Sequence, residues 1–157
     1  LDAVCADLVV SGTRNVPTSF HYQVLCSEPF AGIALPNHPI FDAPITVDTF
    51  LAARHALLSY RSDETGSVDN VLSAKGLTRD IAVSVSNFAT LPPMVCEANL
   101  VAVLPFRLAV KADKELPVRM FELPFDVPMV DLRLIWGQGV DQSPMSIWFR
   151  KLLANLV

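Results

Sequence analysis

The chain has 157 residues, of which 52% are hydrophobic, and a formal net charge of −4. That length suits one ordinary domain or two small lobes sharing a hinge, and the apolar content with a positive mean hydropathy excludes disorder. The apolar runs are too short to cross a bilayer, and Lys and Arg are scattered without the basic stripe that phosphate binding needs, so this stretch is not expected to span a membrane or grip DNA by itself.

In chain order, Ala6–Val10 (ADLVV) predicts a buried strand ending in Ser11-Gly12, and Thr13–Ser19 a connection. Phe20–Leu25 and Phe30–Leu35 predict two extended runs, stopped by a turn at Pro36-Asn37-His38-Pro39. Thr46 is placed to cap a helix over Asp48–Arg54, with Phe50 and Leu51 as its apolar face, and His55–Tyr60 predicts another strand. Arg61–Gly66 is polar loop. Ser67 is expected to cap a helix through Val68, Val71, Leu72 and Ala74 that stops at Gly76.

Ile81, Val83 and Val85 alternate with small or polar residues, a strand pattern, and run into the polar elbow Ser86-Asn87. A helix after Asn87 must absorb Pro92 and Pro93 early or start beyond them, and Val101–Leu104 predicts the next strand, closed by Pro105. Strand, elbow, helix and strand make a βαβ unit. Phe106–Val110 predicts a helical turn or more, Lys111–Pro117 a charged connection, Val118–Leu123 a strand, Pro124–Pro128 a bridge and Leu132–Trp136 a strand. Gly137–Pro144 is loop. Ser143 then caps a terminal amphipathic helix, Met145–Val157, with Ile147, Trp148, Leu152, Leu153 and Leu156 at helical spacing, and Trp136 and Trp148 are expected in the core. The alternation predicts an α/β class with a parallel or mixed sheet.

No common catalytic pattern is present. There is no GxSxG, GxGxxG, P-loop, HExxH or HxH, and Asp63 and Glu64 lie paired in a polar loop where acids are usually solvated. His21, His38 and His55 are scattered and predict structural or surface roles, His38 as a turn residue. Cys5, Cys26 and Cys96 are odd in number and lack a CxxC, which predicts buried free thiols in a reducing compartment rather than disulfides or a zinc site. No enzyme activity, cofactor or metal is expected. The elbow stands apart: a hydroxyl, an amide and the N–H groups of a helix start suit a carboxylate or similar anion, and Phe88 could wall such a site. An ordinary N-cap beside a core Phe is the plainer reading of the same residues.

Taken in order, DLVVSG, FAGIALPNHPI, ITVDTFLAARHALLS, GSVDNVLSAKGL, VSVSNFATLPPMVCEANLVAVLP with FRLA, LRLIW and PMSIWFRKLL resemble the effector-binding domain of LysR-type transcriptional regulators over nearly the whole chain. The resemblance implies a periplasmic-binding-protein-like (type 2) fold with two lobes and two crossing hinge strands, the first lobe incomplete. Residues 1–19 and 129–157 would form a partial first lobe and 20–128 the second lobe with the crossing strands; within it, Phe20–Pro36 would enter and Lys111–Pro128 leave. It also implies a cytoplasmic homo-oligomer, dimer or tetramer, that senses a small effector. DNA would be bound only through an N-terminal winged helix-turn-helix outside this chain. Because the chain opens on Leu1, shows no secretory signal and lacks that module, a fragment is expected. Carried over by position, Ser86, Asn87, Phe88 and Thr90 would line the effector site, with Phe30, Ser11 and Gly12 as further candidates, and the FATLPP elbow is similar to members whose effectors are often aromatic. A solute-binding protein for transport is the alternative on the same scaffold.

Overall fold

A computed structural model describes residues 6–13, 15–59 and 66–156. Cys5, Asp63 and Glu64 lie outside the described residues. The chain divides into two compact units, one made of Leu1–Glu28 with Met129–Val157, the other of Pro29–Pro128. The boundary therefore groups Phe20–Glu28 with the first unit.

The second unit is built on a five-stranded sheet of β3 (Phe30–Ala34), β4 (Arg54–Leu58), β5 (Asp80–Val85), β6 (Val101–Pro105) and β7 (Arg119–Phe121), in the order β5-β4-β6-β3-β7. β5 and β6 both run parallel to β4, while β3 is antiparallel to β6 and β7. The βαβ unit read from the sequence is thus a crossover that skips a position, because β4 lies between its two strands. β6 is apolar almost without interruption, as a strand covered on both faces must be. Ala102 and Leu104 face a cluster with Ile33, Leu91 and Val95, whereas Val101 faces one with Phe50, Leu72 and Phe121.

Four helices cover those faces: α1 (Val47–Ala52), α2 (Ser67–Ser73), α3 (Leu91–Ala98) and α4 (Phe106–Glu115). Thr46 caps α1 as expected, its Oγ1 accepting from the Thr49 N–H at 3.3 Å. α2 departs from expectation. Its N-cap is Gly66, and Asp69 in the first turn takes the capping role by accepting from the Gly66 N–H at 3.2 Å. α3 absorbs Pro92 and Pro93 in its first turn, where their missing N–H groups cost nothing. α4 continues through the expected charged connection to Glu115. Ala109 and Ala112, three apart, are buried on one face and leave Lys111 and Lys114 to solvent.

In the first unit, β8 (Val130–Gly137) lies between β1 (Leu8–Ser11) and β2 (Phe20–Glu28), antiparallel to both. A 3-10 turn over Gln138–Val140 leads to α5 (Pro144–Ala154). Trp136 Nε1–H donates to Asp141 Oδ1 at 2.8 Å, and Arg150 joins the same carboxylate at 3.1 Å while its guanidinium lies 4.2 Å over the Trp136 ring. The Trp136 and Arg150 hydrogen bonds hold the Asp141 carboxyl below the usual range. Two expectations fail on α5. Trp148 is 62% exposed rather than core, and Leu152 is exposed as well, as is Leu156 just past the helix, because the helix turns its Arg150 side toward β8. Cys26 and Cys96 are free thiols, half-buried rather than buried, and burial raises the Cys96 pKa, with Glu97 adding to it.

Candidate functional site

Parallel strands send their carboxyl ends to one edge of a sheet, and ligands settle where the strand order reverses. In the second unit that reversal falls at β4 and β6: the chain leaves β4 outward to β5, then crosses back to β6. Three ends meet along this edge. The Ser59 N–H donates to the Val85 carbonyl at 2.9 Å, which ties the end of β4 to the end of β5 immediately before Ser86. Antiparallel β3 starts at the same edge, with Phe30 opposite Pro105, and the Phe106 N–H donates to the Pro29 carbonyl at 2.9 Å.

The elbow follows from its residue types. Asn87 Oδ1 accepts from the Ala89 N–H at 2.8 Å and caps a 3-10 turn, Phe88–Thr90, that opens directly into α3. Thr90 closes the turn: its N–H and its Oγ1 both donate to the Asn87 carbonyl, at 3.2 and 2.7 Å. The cap therefore uses the Asn87 oxygen and leaves its Nδ2 group as a donor. Ser86 is exposed, and its hydroxyl has no partner among the described residues. Phe88 is half-buried against the Leu91–Val95 cluster, so one side of its ring is core. Both sequence readings hold here at once: a cap beside a core Phe, with donors and a partly open ring left over.

Of the seven residues chosen from sequence, the structure brings Phe30, Ser86, Asn87, Phe88 and Thr90 to one edge of the second unit. Ser11 and Gly12 belong to the first unit, where Ser11 Oγ accepts from the Thr13 N–H at 3.2 Å and Gly12 approaches Val130 closely. Ser59 and Arg107 are edge positions that sequence reasoning passed over. No local motif marks them; only the strand order does.

The most perturbed titratable group stands at the other edge. His55, fully buried near the start of β4, is set against the Phe50 carbonyl through Nε2 at 2.8 Å and against Arg79 through Nδ1 at 3.5 Å. An arginine only donates, so Nδ1 is the acceptor and Nε2 carries the proton. Arg79 also grips Asp69 with two bonds of 2.8 and 2.9 Å. Burial, then the Arg79 charge, lower the His55 pKa to about 4. Burial raises the Asp69 pKa, but the Arg79 bond and charge outweigh it and leave the carboxyl below its usual value. This network pins α1 and α2 to β4; the rule that perturbed groups mark functional sites points away from the elbow here.

The family model of the LysR substrate binding domain matches residues 4–157. The chain belongs to that family. Among similar proteins is the HTH-type transcriptional activator NahR of Pseudomonas putida, 25% identical over 150 residues that make up 96% of this chain and 50% of NahR. The regulatory domain of MexT, a transcriptional activator in Pseudomonas aeruginosa, aligns with a TM-score of 0.81 at 22% identity, over 96% of this chain and 72% of that domain's chain. The effector binding domain of QuiR in complex with shikimate aligns with a TM-score of 0.76 at 14% identity, over 96% of this chain and 71% of that domain's chain. These likenesses establish the type 2 periplasmic-binding-protein-like α/β fold of LysR effector-binding domains. The LysR chain spans about half the length of the curated relatives it matches. No helix among its described residues is long and apolar enough to cross a membrane.

Proposed function

We propose that this LysR-family chain is an effector-sensing regulatory module and that a small carboxylate or aromatic compound binds at the elbow. The observation that carries this reading is that Ser86, Asn87 and Phe88 stand at the reversal edge of the second unit, with Phe30 further along the same edge. Ser86 and the Asn87 Nδ2 group would donate to a carboxylate, and the open sides of Phe88 and Phe30 would accept a ring. Thr90 acts by holding the turn. Ser11 and Gly12 enter on resemblance alone. QuiR, whose effector binding domain holds shikimate, supports a hydroxylated carboxylate as the class.

Binding would act by population shift, favouring the arrangement of a cytoplasmic homo-oligomer that the effector fits best, with DNA contacted through an N-terminal domain of the whole regulator. The role is regulatory rather than catalytic, and the regulator relatives favour it over a transport solute-binding protein. Titration calorimetry with benzoate, salicylate and shikimate tests the site. A compound that binds should bind Asn87→Ala and Phe88→Ala about tenfold more weakly, close to 1.4 kcal/mol. Unchanged affinity in both variants removes the elbow from the site.

A further inference from the structure

The first unit has a hollow of its own, where the first turns of α5 meet the beginning of β1. Its volume is about 410 Å³, within the roughly 300–1,000 Å³ of small-molecule pockets. Leu8, Val140, Trp148 and Phe149 supply apolar walls, and the Trp148 and Phe149 rings lie 6.3 Å apart at 29°. Asp7, Ser143 and Ser146 line the same space. The helix start there is unfinished in two ways. Ser143 stands at the N-cap of the 11-residue helix, yet its hydroxyl makes no capping bond, and Pro144 brings no N–H. The Met145 and Ser146 N–H groups thus lack both an intrahelical acceptor and the usual Ser cap. Ser146 is only 5% exposed, and its buried Oγ has no hydrogen-bond partner among the described residues. A buried hydroxyl left unpaired costs folding stability, and native proteins keep few of them.

We propose that this pocket is a second ligand site, built for a free apolar or aromatic α-amino acid. Charge decides the class. Among the described lining residues Asp7 alone carries a charge, so a bare carboxylic acid would sit between a repelling carboxylate and an attracting helix start. A zwitterion suits both. Its carboxylate accepts from the Ser146 and Ser143 hydroxyls and from the N–H groups at the positive end of α5, and its ammonium pairs with Asp7. A side chain the size of leucine or phenylalanine then lies against Leu8, Val140 and the two aromatic rings. The same ligand gives the Ser146 hydroxyl the acceptor that the folded chain does not supply. The pocket belongs wholly to the first unit and the elbow to the second, so this site does not depend on the effector reading.

Titration calorimetry of the 157-residue chain with L-phenylalanine and L-leucine tests the site. At least one of the two should bind, and N-acetyl-L-phenylalanine and L-phenylalaninamide, each lacking one of the two charges, should bind more weakly than L-phenylalanine. Asp7→Asn, which removes a pair near the surface, should weaken binding about threefold, and Ser146→Ala about tenfold. Asn87→Ala at the elbow should leave it unchanged. Melting without ligand separates a binding role for Ser146 from a structural one: Ser146→Ala should melt no lower than wild type while binding more weakly, because the hydroxyl it removes has no partner in the free chain. A Ser146→Ala variant that melts lower shows the hydroxyl to be structural and overturns the proposal. So do failure of both amino acids to bind at millimolar concentration, equal binding of the two blocked derivatives, and affinity that is kept in Asp7→Asn and Ser146→Ala but lost in Asn87→Ala.

Discussion

At the scale of single residues, His55 shows how burial chooses a protonation state. Its ring sits 4.5 Å from that of Phe50 and meets a donor at Nδ1 and an acceptor at Nε2, so the neutral tautomer satisfies both. The folded pKa of about 4 lies below the 6.5 of the unfolded chain. As pH falls through 6.5 the unfolded chain takes up the proton first, so stability drops until about pH 4, where the folded form is protonated too. The full swing is roughly 3–4 kcal/mol, the drop from 6.5 to about 4 at roughly 1.4 kcal/mol per unit of pKa. Melting temperature followed from pH 7 to pH 4 should fall accordingly, and His55→Gln should flatten that slope while lowering stability at pH 7. A residual slope is expected from His38, whose pKa burial also lowers against an opposing pull from Asp42. Below pH 4, loss of the depressed Asp69 carboxylate should destabilise further, through the break with Arg79. An equal slope in wild type and His55→Gln would show that His55 does not titrate with unfolding.

At the scale of elements, the sheet of the second unit rests on one close approach. Gly32 of β3 stands directly opposite Phe121 of β7, and the Phe121 ring folds over the space a Cβ would take. The ring is buried and also meets Phe41 edge-on at 5.7 Å, so it has little room to yield. Gly32→Ala should therefore destabilise by about 1–3 kcal/mol, the usual cost of overpacking a filled core. Urea midpoints check it: Phe121→Leu should recover part of the loss in the double variant, and a loss identical in both backgrounds would place the strain elsewhere. Helix ends tell a related story. Cap residues at Thr46 and Asn87 were readable because the capping group is local. The start of α2 differs from the Ser67 cap that its sequence suggests, because Asp69 caps from inside the helix while Arg79, ten residues away, holds it there.

At the scale of the whole molecule, the two units differ in how they are assembled. The second is one continuous stretch, Pro29–Pro128, with two core clusters and helices on both faces of its sheet. The first joins both ends of the chain around three strands. A Pro29–Pro128 segment should thus unfold cooperatively on its own in urea, with the amides of Ile33, Ala102 and Leu104 slowest to exchange; a gradual transition would show that its core needs the first unit. Much of this architecture was legible in the sequence. Strand periodicity, the capped elbow, the prolines of α3 and the order of motifs follow from short-range rules, and they determined the α/β class, the family and the residues of the elbow. Longer-range facts were not legible. That β4 lies between β5 and β6, that Ser59 arrives beside Ser86 while Phe30 lies further along the same edge, that α4 runs on to Glu115 and that α5 shows its aromatic stripe to solvent all depend on which faces meet. Hydrophobic spacing marks a helix face as apolar, but only tertiary packing decides whether another surface covers it.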